Sequence, residues 1–302
     1  MADEREEARL GVPRGAASEP GELSRPRLLV TDLDGTLLGP GGEPHPGDRA
    51  AIAALRERGV FVSICTGRMY SGTRHIALEL ELDGPVGCLD GSHVVDVRTD
   101  QDVSRHALDE LAAGLLLSTL DACGAPAFVF AGDSILHDEQ GEEFLDYVRA
   151  WSNRAERLDS LHDPSLWQTA SGVAAVVSLG EQSMIVRALA LLEEHAEAHV
   201  QAVAFPVRHP SFIGKWGLLA RKAGVDKASA LRVIADHYGV SLDETVTVGD
   251  WVNDISMLRA AGRSFAMAQS PQSVKDAATD VLDADLSSGG GIEEAAHRAG
   301  LL

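Results

Sequence analysis

The stretch Leu28-Leu29-Val30-Thr31-Asp32-Leu33-Asp34-Gly35-Thr36-Leu37-Leu38 decides how the rest of the chain is read. An apolar run ends abruptly in two carboxylates two residues apart, followed by a glycine and a threonine. The run reads as a buried strand and Gly35 as the turn that ends it. Residues i and i+2 of a strand point the same way, so Asp32 and Asp34 start out on one face. Two close carboxylates repel unless a cation or a proton separates them. The pattern suits a Mg²⁺ site with one carboxylate free as a nucleophile; the plainer alternative is an acidic turn after a strand.

The chain has 302 residues, room for one large domain or two ordinary ones. It is 45% hydrophobic but only 5% aromatic, so its core is built mostly of Ala, Leu and Val. With 46 acidic against 26 basic residues the formal charge is −20. Such a chain should be soluble and repelled by nucleic acid and anionic membranes. Cys65, Cys88 and Cys123 sit in apolar settings and read as free thiols of a reducing compartment. The uncharged stretches Leu111–Leu120 and Ala122–Gly132 are too short to span a bilayer, and Met1–Glu7 is acidic without the apolar segment of a signal peptide. A cytoplasmic protein is expected.

Residues 1–25 mix charges with Pro, Gly and Ala and predict a disordered extension. From there strands and helices alternate: strand Arg27–Thr31, helix Pro46–Gly59, strand Val60–Cys65, helix Met69–Leu82, strand Gly84–Leu89. That rhythm implies parallel strands with right-handed crossovers. It changes near residue 100. Helix Leu108–Cys123 leads into Ala127–Ala131, a Gly132-Asp133-Ser134 turn and Ile135–His137, which together signal an antiparallel hairpin. Helix Glu142–Asn153, strand Gly172–Leu179, helix Gln182–Ala198 and strand Val200–Val207 follow. The alternation resumes with helix Lys227–Tyr238 and strand Thr245–Val248, ending at Gly249-Asp250. Helix Asn253–Ala261, strand Ser264–Ala268, helix Pro271–Thr279, strand Val281–Asp283 and helix Gly291–Arg298 complete the chain. The expected architecture is α/β: a doubly wound, Rossmann-like core over 26–103 and 211–302, with an α+β cap over 104–210 inserted in it.

Asp32/Asp34, Thr66, Lys227 and Asp250/Asn253/Asp254 all fall at the carboxyl ends of expected parallel strands or at a helix start. In an open doubly wound sheet that edge is where ligands bind. The four segments Asp32-Leu33-Asp34-Gly35-Thr36, Ser63-Ile64-Cys65-Thr66-Gly67-Arg68, Gly224-Val225-Asp226-Lys227-Ala228 and Gly249-Asp250-Trp251-Val252-Asn253-Asp254, in this order, resemble the motifs of the haloacid-dehalogenase-like phosphohydrolases. The spacing is similar to the Cof-type branch, whose cap lies between the second and third motifs. The resemblance covers about residues 26–300.

It implies a Mg²⁺-dependent phosphatase acting on a small phosphorylated metabolite such as a sugar phosphate, as a monomer or homodimer, with no nucleic-acid or membrane partner. Asp32 is then the nucleophile and Asp34 the general acid and base. Mg²⁺ is held by Asp32, the Asp34 backbone carbonyl and Asp250, with support from Asp254. Thr66 and Asn253, with the Gly35 and Gly67 amides, bind the phosphate, and Lys227 neutralises its charge. Arg68 is a candidate substrate contact, and His137, Arg208 and His209 are candidates from the cap. A phosphomutase, a phosphatase of sugar-glycerate or disaccharide phosphates, and an inactive phospho-ligand-binding protein are the rival readings.

Plainer roles stand beside these. Thr66 could cap the helix that follows, Lys222 competes with Lys227, Asp254 could be an ordinary first-turn acid, and Arg68 an exposed helix-start residue. Trp216 and Trp251 read as packing residues. The chain also departs from the family pattern: Trp251 replaces a small residue, Asp90-Gly91-Ser92 replaces Asn-Gly-Ala, Ala228 replaces Gly, and Gln269-Ser270 replaces Asn-Ala. The Asp90 change puts a third carboxylate near the pocket.

Overall fold

The computed structural model describes residues 27–149, 151–152, 154–163, 172–207 and 209–302. The expected extension, residues 1–25, lies outside them, as does Arg208. In chain order the strands and helices begin with β1 (Leu28–Thr31), α1 (Pro46–Glu57), β2 (Phe61–Ile64), α2 (Tyr70–Glu79), β3 (Pro85–Cys88), β4 (His93–Asp96) and β5 (Gln101–Arg105). The middle of the chain holds α3 (Glu110–Cys123), β6 (Ala127–Ala131), β7 (Ser134–His137), α4 (Leu145–Val148), β8 (Ala155–Arg157), β9 (Val173–Glu181), α5 (Gln182–His195), β10 (Val200–Pro206) and β11 (Lys215–Lys222). The last third is α6 (Lys227–Tyr238), β12 (Thr245–Gly249), α7 (Ile255–Ala260), β13 (Arg263–Ala266), α8 (Gln272–Lys275), β14 (Asp280–Val281) and α9 (Gly291–Arg298).

The first sheet is parallel, in the order β14-β13-β12-β1-β2. A bridge between Cys65 and Gly87 continues it to β3, which forms an antiparallel sheet with β4 and β5. Strand β1 is central because Leu28–Thr31 is apolar enough to be buried on both sides. Leu29 packs with Ile52, Leu55 and Ile292 below the sheet, while Leu28 and Val30 pack with Leu231, Ile234 and Met257 above it. The chain winds to β2 on one side of β1 and to β12 on the other. The turns after β1 and β12 therefore face each other across the topological switch point, where ligands enter such sheets.

The second sheet has six strands in the order β10-β11-β9-β6-β7-β8. One face is covered by α3 and α5, with Val129, Val176, Leu218 and Ala220 packed against Leu116 and Leu192. The alternate residues face the other way. Phe130, Val177 and Leu219 cluster with Met69 and Leu89 of the first unit, so that this face overhangs the carboxyl edge of the parallel sheet.

Strand β11 pairs with both β10 and β9. The inserted sheet thus runs to Lys222, past the boundary expected at 210. The hairpin at Gly132-Asp133 forms as expected. Strands β4, β5, β8 and β11 were absent from the expected elements, and the helix expected over 142–153 is a 3₁₀ segment followed by the single turn α4. Among the described residues no helix is long and apolar enough to cross a membrane.

Candidate active site

Gly35 adopts φ +92° in the turn after β1, and a Cβ there would lie 2.5 Å from Asp250 Oδ2, so this position requires glycine. The turn brings Asp32 beside the turn after β12, where Thr36 Oγ1 donates to Asp250 Oδ1 at 3.5 Å. Gln269, one of the departures from the family pattern, braces the turn from outside: its side chain donates to the Gly35 carbonyl at 2.7 Å.

Lys227 starts α6, which Asp226 caps by accepting from the Ser229 amide. Its side chain is fully buried, and Nζ donates to Asp32 Oδ1 and Asp254 Oδ1, both at 2.6 Å. Asp254 is equally buried, and its other oxygen accepts from the amides of Asp250 and Trp251 at 2.9 Å each. It is therefore both the cap of the loop after β12 and a partner of the site lysine. Lys222, the rival candidate, is exposed at the end of β11, whereas Lys227 sits among these carboxylates.

Thr66 is buried, and its hydroxyl accepts from the Arg68 amide at 3.2 Å within the loop after β2; it does not cap the helix that follows, whose N-cap is Met69. Arg68 reaches across to Asp34, with Nε on Oδ2 at 2.7 Å and Nη2 on Oδ1 at 2.5 Å. Asp34 is exposed at the cavity, whereas Asp32 is buried. Asn253 Nδ2 donates to Asp90 Oδ1 at 2.8 Å, and Lys227 Nζ lies 3.9 Å from that same oxygen. The structure thus brings together Asp32, Asp34, Thr66, Gly67, Arg68, Asp250 and Asn253 as lining of one cavity. Lys227 and Asp254 lie directly behind it.

Burial disfavours the charge on Lys227, but Asp254, Asp32 and Asp90 overcome it and hold its pKa well above the ordinary value. Burial also pushes the Asp32 carboxyl well up; Lys227 opposes the rise, and Asp254 and Asp250 add to it. Oxygens of Asp32, Asp250 and Asp254 lie within 4.8 Å of one another, and all three residues are buried. Hard oxygen donors so close together fit a small divalent cation such as Mg²⁺.

Above this charged floor the cavity, of about 240 Å³, is walled by Phe130, Tyr147, Trp151, Val203, Phe205 and Trp251. Phe130 and Trp151 meet edge to face at 5.7 Å, as do Tyr147 and Trp151 at 5.1 Å. Trp251, read from sequence as a packing residue, is part of this wall. The candidate cap contacts are not: His137 is buried with Nδ1 on the Asp138 carbonyl, and His209 caps a 3₁₀ turn at Ser211. Neither lines the cavity. The wall was missed because its members come from scattered strands and a short helix. What identifies them afterwards is the period-two alternation that puts Phe130, Val177, Val203, Phe205 and Leu219 on one sheet face.

A family model described as haloacid dehalogenase-like hydrolase matches residues 29–293. Pyridoxal phosphate phosphatase YbhA of Escherichia coli (strain K12) is 27% identical over 261 residues, covering 85% of this chain and 93% of that protein. A solved haloacid dehalogenase-like hydrolase from Bacteroides thetaiotaomicron matches with a TM-score of 0.76 at 20% identity, covering 91% of this chain and all of that one. The subclass IIB sugar phosphatase BT4131 matches with a TM-score of 0.74 at 20% identity, covering 91% and 100% of the two chains. The chain belongs to the haloacid dehalogenase-like hydrolases.

Proposed function

We propose that the enzyme is a Mg²⁺-dependent phosphatase whose substrate is a small phosphomonoester with a flat, ring-bearing alcohol, of the kind represented by pyridoxal phosphate. The observation that carries this reading is a cavity that joins a floor of carboxylates, backed by Lys227, to an aromatic wall. A sugar ring presents hydroxyls that need polar partners, and burying them unpaired costs about 1–3 kcal/mol each. Phe130, Trp151, Phe205 and Trp251 offer ring faces and edges instead, which suit a planar heterocycle. The volume, at the low end for ligand pockets, fits a small metabolite. The relative named for pyridoxal phosphate supports the same class.

Asp32 attacks phosphorus. The bond from phosphorus to the substrate oxygen breaks as the bond to the Asp32 carboxylate oxygen forms, and Asp34 gives the leaving oxygen its proton. Asp34 then takes a proton from water, whose oxygen attacks the aspartyl phosphate and releases inorganic phosphate and free Asp32. Arg68 holds both oxygens of Asp34, so that contact must open for Asp34 to reach the leaving oxygen. Lys227 keeps Asp32 oriented and balances its charge, and Thr66 and Asn253 steady the phosphoryl oxygens. Asp32, Asp250 and Asp254, with the Asp34 carbonyl, would hold Mg²⁺, which as a Lewis acid offsets the charge gathering on the phosphoryl group.

The test is hydrolysis of pyridoxal 5′-phosphate against a panel of hexose phosphates, with and without Mg²⁺, for the wild type and Asp32→Asn. Metal-dependent activity that favours the pyridoxal ester by kcat/KM and disappears in the variant is the expected result. Preference for a hexose phosphate would overturn the flat-ring class. Inactivity on every ester, with phosphate transferred to Asp32 but not released, would point to a mutase. Inactivity without such transfer would point to a binding protein.

A further inference from the structure

The floor contains one ion pair that the mechanism above does not use. Asp90 follows β3, is almost fully buried, and accepts from Arg221 Nη1 at 3.2 Å on one oxygen and from Asn253 Nδ2 at 2.8 Å on the other. Arg221 is also buried; its Nε donates to the Val225 carbonyl at 2.8 Å. Arg221 is the penultimate residue of β11, two positions after Leu219 and so on the same, cavity-facing side of the sheet. It stands where the chain returns from the second sheet to Lys227.

The loop that carries Asp90 is held from several directions. Leu89 and Asp90 both adopt φ +50°, a left-handed conformation that is costly for Leu and tolerable for Asp. The Leu89 amide donates to the Arg68 carbonyl at 2.9 Å and the Asp90 amide to the Thr66 carbonyl at 3.0 Å. A Cβ on Gly91 would strike the Asp226 carbonyl at 2.2 Å.

We infer that Arg221 and Asp90 act as one positioning unit, set from the returning strand of the second sheet, that fixes Asn253 for the phosphoryl group. This rests on the phosphate reading of the cavity. A carboxylate only accepts, so Asp90 obliges Asn253 to turn its amino group inward; an asparagine at position 90 would accept either end of the amide. A further buried carboxylate beside a phosphate pocket would repel the ligand unless cations are tied to it; Arg221 is the one bonded to Asp90, at 3.2 Å, with Lys227 at 3.9 Å from the other oxygen. Its hydrogen bond to Val225, two residues before Lys227, makes the same unit sensitive to how the second sheet sits on the first.

The experiment is a double-mutant cycle in the full chain with Mg²⁺: wild type, Arg221→Gln, Asp90→Asn and the double variant. The readouts are kcat and KM on pyridoxal phosphate, competitive inhibition by inorganic phosphate, and thermal melting. Arg221→Gln in the wild-type background should raise KM and the phosphate inhibition constant about tenfold with a smaller change in kcat. In the Asp90→Asn background the same change should cost less than threefold, because its partner is already gone. Equal costs in both backgrounds would overturn the unit, and so would a lower melting temperature with KM and phosphate inhibition unmoved. If Arg221→Gln alone does not fold, the Asp90→Asn pair still decides: a cost below threefold supports the unit and a larger one overturns it. A wild type that neither hydrolyses these esters nor binds phosphate overturns this inference together with the function; an active wild type with additive costs overturns this inference alone.

Discussion

The floor of the cavity comes from four turns at the carboxyl edge of one parallel sheet, whereas its wall comes mainly from β6, β10 and the residues around α4 in the second unit. On the floor, Lys227 and Asp254 are fully buried, and each side chain makes at least two hydrogen bonds, Lys227 to two carboxylates and Asp254 to Lys227 and to backbone amides. In the wall, Tyr147, Trp151, Val203 and Phe205 are half-exposed and line the cavity. A substitution on the floor therefore disturbs several charged partners at low dielectric, while one in the wall removes contact area. On the proposed function, chemistry belongs to the floor and selectivity to the wall, and that separation can be tested by size of effect.

Asp32→Asn should lower kcat by about four orders of magnitude or more, as loss of a nucleophile does, measured by phosphate release. Lys227→Met should lower kcat by about 10²–10³-fold and destabilise the fold by about 3–5 kcal/mol, since it strands the buried carboxylates of Asp32 and Asp254. Urea unfolding would read the second effect, and unchanged stability would mean that the floor is less tightly coupled than its distances imply. Chelating the metal should also abolish turnover. Adding Mg²⁺ at about 100 times its dissociation constant should stabilise the fold by about 2.7 kcal/mol, seen as a higher melting temperature in the absence of substrate.

Trp151→Ala probes the wall. It should raise KM for a ring-bearing ester about tenfold, leave kcat within about threefold and hardly affect a small aliphatic ester. A large fall in kcat instead would show that wall and floor are not separate. The smallest effect lies away from both, on β5. The hydrogen bond from Arg105 draws the Asp102 carboxyl down to about 2 against the opposing pull of partial burial, and His93 adds to the fall. Its contribution is therefore fully present above the unfolded value of about 3.9 and is lost as pH falls toward 2. Asp102 is half-exposed, so water screens the pair and the loss in Asp102→Asn should stay below about 1 kcal/mol at pH 7 and shrink below pH 4.

The same contrast governs what could be read in the sequence. Strands β1, β2 and β12 are buried on both faces, so they appear as short apolar runs ended by an acid or hydroxyl and a glycine. The residues of the floor are their next neighbours in sequence. Strand β5 carries exposed charges, and β11 has Gly217 in its midst with no clean alternation, so neither declared itself; overlooking β11 placed the edge of the insertion at 210 instead of near Lys222. Asp90 was visible as an extra carboxylate. Its partner was not, because Arg221 lies 131 residues away and stands beside the more conspicuous Lys222. An arginine closing the apolar run Leu218-Leu219-Ala220 was the signal available.

Strand β1 forms its hydrogen bonds with β12 from Leu28↔Thr245 to Thr31↔Val248. During synthesis from the N-terminus, the second sheet, which ends at Lys222, emerges before β12, and until then β1 has one edge unpaired. The loop to be closed spans most of the chain, which makes completion of the first sheet the late and slow event of folding. Asp32 meets Lys227 and Asp254 only then. A nascent or truncated chain that stops short of β12 can possess a folded second sheet and no catalytic centre at all, so activity is acquired in a single step at the end of assembly.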